Sequence, residues 1–203
     1  MQNGLRLSAA GGRFLTLVSE YRSTSSCARI SIMESPPQIR SPLVISLFAY
    51  WNRIRAGRIA PLWSDVQPGD IKSLLPYIMV VEVLDLPFDV RYRIVGTAVV
   101  QAFGYDFTWE TLRLPKHDLE TAAWLGIYRE FVERRGPCFA QYKVSVSLKE
   151  ALVVDVGVFP LSSDGATIDR LVELEDWRAE GAFRPKVIKP SVQDFTIFPE
   201  MSD

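Results

Sequence analysis

Residues 139–148 alternate with a period of two, Ala140, Tyr142, Val144, Val146 and Leu148 against Gln141, Lys143, Ser145 and Ser147. The segment 151–160 repeats the pattern, with Leu152, Val154, Val156 and Val158 against Asp155 and Gly157. Successive side chains of a strand point to opposite faces, so both runs read as strands. One-sided alternation belongs to an antiparallel sheet with one covered face. A third strand is expected at 166–175, after the Ser163-Asp164-Gly165 turn, with its register ambiguous around Arg170-Leu171.

The amino half supplies the layer such a sheet needs. Ser41-Pro42 offers an N-cap and a proline at the first helical position, and Leu43, Leu47, Tyr50, Trp51 and Ile54 recur at helical spacing. Gly57 is the expected stop. Pro68 and Asp70 open a short helix that Pro76 ends. Residues 77–85 and 90–96 read as strands joined by Leu86-Pro87-Phe88-Asp89. A small helix is expected at 97–104, a loop at 105–116 and a long helix at 117–135, with Trp124, Ile127, Tyr128 and Phe131 on one stripe. Hairpin-joined strands and one long crossing helix make an α+β domain with helices on one sheet face.

Composition narrows the function classes. At 48% hydrophobic and 23% charged residues, the 203-residue chain is neither disordered nor fibrous as a whole. A net charge of −1 provides no footprint for nucleic acid, and no apolar run approaches the ~18 residues of a membrane span. Cys27 and Cys138 form neither a disulfide framework nor a metal-ligand spacing, and His117 is the single histidine. Residues 1–40 carry five arginines against Glu20 and Glu34 and show no sustained period, so they read as a disordered or leader segment, with Met33 an alternative start. Residues 41–178 form the domain, and the proline-containing 179–203 reads as a tail.

Several motifs resemble a known family. Trp51, Arg55, Gly57, Arg58 and Pro61, followed by Asp65, Pro68, Ile71 and Leu74-Leu75-Pro76-Tyr77, resemble the opening signature of a bacterial stand-alone PAS-domain family. Tyr92-Arg93-Ile94-Val95-Gly96-Thr97, Phe103-Gly104 with Asp106, and Phe159-Pro160-Leu161 with Asp169-Arg170-Leu171 resemble its later strand ends and loop. The resemblance covers about residues 43–175 and implies a five-stranded antiparallel sheet in the order 2-1-5-4-3 around a small apolar pocket. It implies sensing and protein interaction in bacterial signalling, without catalytic chemistry. One position departs: Trp109 follows Thr108 where the family has glycine, which alone adopts positive φ without steric cost.

The resulting expectation is a non-enzymatic, cytoplasmic sensor or adaptor with no catalytic residue, metal or cofactor. Phe103, Trp109, Trp124, Tyr128 and Tyr142 are the candidate pocket, with Trp109 either plugging it or stacking on a small apolar ligand. Trp51, Arg55, Arg58, Pro61, Asp65 and Pro68 are the family-motif and interface candidates, with the arginines pairing to Asp65 and other acids. The expected partners are a signalling protein and a second copy of the chain, docked through the amino helix. Two rivals use His117: a haem-binding PAS sensor, and a hot-dog-fold thioesterase or dehydratase with His117-Asp118 as its acid–base pair.

Overall fold

The computed structural model describes residues 31–32, 39–113, 121–145, 151–177 and 196–198. Strands β1 (Ser31–Ile32), β2 (Ile78–Asp85), β3 (Phe88–Val95), β4 (Cys138–Ser145), β5 (Ala151–Leu161), β6 (Arg170–Asp176) and β7 (Thr196–Phe198) form one sheet. Its order is β1-β7-β4-β5-β6-β2-β3. Without the two short outer strands, this is the expected antiparallel order 2-1-5-4-3. The segments read as leader and tail thus each contribute a strand: Thr196–Phe198 pairs with Phe139–Gln141 of β4, and Ser31–Ile32 lies parallel to it. Runs of two or three residues are too short for a period-two pattern to stand out from their surroundings.

Helices α1 (Pro42–Arg55), α2 (Thr97–Phe103) and α3 (Thr121–Arg134) lie close to their expected spans. Ser41 caps α1, its Oγ accepting from the Val44 amide at 3.1 Å. Ala56 (φ 50°) and Gly57 (φ 80°) turn left-handed and end the helix. The expected short helix from Pro68 is instead two 3-10 turns, Pro68–Ile71 and Leu75–Tyr77. Pro76 sits inside the second turn, near its start, where a missing N–H removes no helical hydrogen bond.

Both sheet faces are covered. Helices α2 and α3 pack on one, over Val81, Tyr92, Val154, Val156 and Leu171. The sequence predicts helices on one face; α2 and α3 share it, but α1 adds a third layer on the other, where Val44, Leu47 and Trp51 meet Phe139, Phe159, Val172 and Leu174. Gly157 of β5 makes that approach possible, because a Cβ there would lie 2.8 Å from the Val44 side chain. The polar face read on β4 and β5 becomes the seat of this helix. Asp155 is buried there, its Oδ2 accepting from the Arg40 and Ser41 amides at 2.8 Å each, while Ser41 Oγ donates to Asp176 at 2.6 Å.

Candidate functional site

Strand β6 lies near the middle of the sheet, and its side chains divide between the two layers. Val172 and Leu174 face α1, whereas Leu171, Glu173 and Glu175 face α3. Both glutamates are buried, and tyrosines close over them. Tyr128 of α3 donates to Glu173 Oε2 at 3.0 Å, and its oxygen lies 3.3 Å from the Tyr92 hydroxyl of β3. Tyr142 of β4 donates to Glu175 Oε2 at 2.8 Å. The result is two carboxyls on one strand face, bound by hydroxyls from α3 and β4, with the β3 hydroxyl of Tyr92 beside that of Tyr128.

Burial sets the electrostatics of this cluster. Loss of solvation raises the Glu173 carboxyl to about 8, the charge of Glu175 adds to the rise, and the Tyr128 hydrogen bond opposes it. Burial raises Glu175 to about 7 against its bond from Tyr142. The tyrosines are also pushed up, chiefly by burial and then by the neighbouring glutamates, so they serve as hydroxyl donors. The cluster can therefore take up or release protons near neutrality. Among the described residues, no group of three or more His, Cys, Asp or Glu is placed to hold a metal ion.

Only part of the expected aromatic pocket converges here. Tyr128 and Tyr142 bind the glutamates, and Phe103 and Trp124 pack at the margin of the same core, Phe103 edge-on to Phe107 and Trp177. Trp109 stands apart from this cluster. The residue is 58% exposed, and its ring lies under the Arg93 guanidinium at 4.1 Å. The backbone takes positive φ (74°) despite the side chain, held by the Trp109 amide donating to the Tyr92 carbonyl at 2.6 Å. Cys138 opens β4 as a small buried residue. His117, and with it both readings that depend on it, lies outside the described residues, as does Cys27.

The motif residues around α1 form a clasp at its carboxyl end. Trp51 is buried and its Nε1 donates to the Pro160 carbonyl at 2.7 Å, tying α1 to the end of β5. Arg58 turns back onto the Ile54 and Arg55 carbonyls and pairs with Asp65 at 2.5 Å. The Leu62 amide and then Arg58 hold the Asp65 carboxyl below its ordinary range. Arg55 lies over the Trp51 ring and bonds Asn52, and Arg53 pairs with Asp70. Buried Pro61 accepts from the Ser162 amide, and exposed Pro68 starts its 3-10 turn. Trp51, Arg58, Pro61 and Asp65 thus build intramolecular contacts.

A PAS-domain family model matches residues 39–174, from just before α1 through most of β6. The chain belongs to the PAS-domain family. No curated protein and no solved structure matches it. A PAS domain is a signal-sensing domain, and PAS domains are in general non-enzymatic. Family membership also removes the fold premise of the hot-dog alternative. Glu173 and Glu175 are absent from the residues that the sequence singles out and Tyr92 enters only as a motif residue, although one signal is present. In the order 2-1-5-4-3 the fifth strand is central, so acids on it must meet a covered layer.

Proposed function

We propose that this PAS domain is a non-enzymatic sensor and adaptor that acts in the bacterial cytoplasm by passing its state to another protein. One observation carries the reading: alternate residues of β6 serve the two layers. Glu173 and Glu175 face the buried tyrosine cluster, and Val172, Leu174 and Asp176 hold α1. A change in charge or contact beneath α3 acts on the strand that seats α1, and a side chain cannot shift far in close packing without moving its strand. Helix α1 lies outside the sheet, where a partner can meet it. Among the described residues, no helix is long and apolar enough to cross a membrane.

Homodimerisation through α1 belongs to the same proposal, but the face that contains Trp51 is occupied within the chain. A second copy would meet the outward face, where Ile45 is exposed. The test compares hydrogen exchange in α1 between the parent and Glu173→Gln at pH 8, with size-exclusion light scattering on the same samples. Altered protection in α1, accompanied by a change in self-association or in capture of a signalling partner, supports the reading. Unchanged α1 protection, despite an altered cluster around Tyr128, rejects it.

A further inference from the structure

A cavity of about 490 Å³ lies on the opposite side of the sheet from the glutamates. Its inner wall is α1, with Leu47, Trp51 and Ile54, and its floor is Ile78, Val80 and Val172 of β2 and β6. Trp63, Leu75 and Ile94 stand part-exposed in its wall. The volume falls within the ~300–1,000 Å³ of small-molecule sites. The wall is fixed where Gly96 meets the turn at Pro76: a Cβ on Gly96 would lie 2.3 Å from the Pro76 carbonyl oxygen.

The polar atoms of this wall are engaged elsewhere. Trp51 Nε1 donates to the Pro160 carbonyl, and the Tyr50 hydroxyl accepts from the Gln67 amide at 2.7 Å. Among the described residues of the lining, Lys72 alone is charged. It is exposed and has no hydrogen bond or ion pair among the described residues, and the nearby Asp70 is paired with Arg53. An apolar trough beside one uncommitted ammonium complements a molecule with an apolar body and a single anionic head. We propose that this groove binds a small amphiphilic carboxylate from solution, its tail between α1 and the sheet and its head at Lys72. The site goes beyond the sensor reading above and does not rest on it, since occupancy here is independent of whether β6 transmits.

Isothermal titration of the full chain with decanoate, and separately with decanol, tests the assignment. Saturable one-to-one binding of decanoate is expected, with decanol about 5-fold weaker, as an ion pair of about 1 kcal/mol requires. Lys72→Ala should abolish that difference, and Ile94→Trp, which places an indole in the groove from an exposed position, should weaken both ligands at least ~10-fold. Circular dichroism checks that both variants are folded. Absence of saturable binding overturns the proposal. Equal affinity for decanol and decanoate overturns the head-group assignment, and binding indifferent to Ile94→Trp places the ligand elsewhere. Light scattering provides the last arm: a dimer that Ile94→Trp dissolves and decanoate does not would make the groove an interface between copies.

Discussion

At the scale of single residues, Glu173 is a buried acid that accepts a hydrogen bond from the Tyr128 hydroxyl and lies two positions from a second buried acid, Glu175. Its carboxyl and that of Glu175 keep their protons to about 8 and about 7 in the folded chain, against an ordinary value of 4.5. Between those limits the folded state binds more protons than the unfolded one, so stability falls as pH rises from about 4.5 through about 8. Glu173→Gln cannot ionise, so its stability should fall less steeply and exceed the parent's at pH 9 by on the order of 3 kcal/mol. Urea unfolding at pH 5, 7 and 9 measures this; parallel curves for the two proteins would show that the carboxyl is not held protonated. Trp109 provides a second test. Glycine relieves the positive φ but loses the stacking on Arg93, whereas alanine loses the stacking and keeps the strain. Trp109→Gly should therefore be more stable than Trp109→Ala by about 1 kcal/mol in thermal melts. The unusual position of Trp109 was legible as a departure from glycine, but the direction of its ring was not, because Arg93 beside it is a tertiary contact. The glutamates were hidden for another reason. In Leu171-Val172-Glu173-Leu174-Glu175 the acids alternate with apolar residues, the pattern of a strand with one wet face.

At the scale of elements, α1 was legible almost to the residue, since its cap, its proline and its apolar stripe are local signals. Which layer it joins is not local. That depends on Gly157 and on the acids of β5 and β6 that receive its amino end. The two 3-10 turns look like one helix in the sequence because proline and aspartate mark a start in either case. Trp51→Ala removes a buried indole and its bond to Pro160, so it should cost ~3–5 kcal/mol in chemical denaturation and leave the oligomeric state unchanged. A dissociated oligomer with unaltered stability would place Trp51 between subunits instead. Ser41→Ala takes away both the cap to Val44 and the bond to Asp176, and about 1–2 kcal/mol should go with them. A change below a few tenths would mean that α1 is seated by its apolar face alone.

For the whole molecule, the strand order was legible because hairpins and one crossing helix leave few arrangements, whereas the outer additions β1 and β7 were not. Ile197 of β7 is fully buried against the core, so removal of residues 179–203 should lower stability by at least ~2 kcal/mol and reduce amide protection along β4. Unchanged protection at Phe139–Gln141 would show that β7 adds nothing to the sheet. The opposite margin is closed differently. The chain after α2 runs back along β3, where Tyr92 and Leu112 donate to the Glu110 and Val90 carbonyls and Trp109 donates to the carbonyl of Tyr92. An open strand margin is a template on which any extended peptide, including another copy's, can continue the ladder. Here the main-chain groups of Val90 and Tyr92 are already taken, so an extended peptide cannot add itself to the sheet there as another strand. That stretch of the margin is closed to fibre growth, and a partner approaching it must recognise side chains such as the paired Arg93 and Trp109.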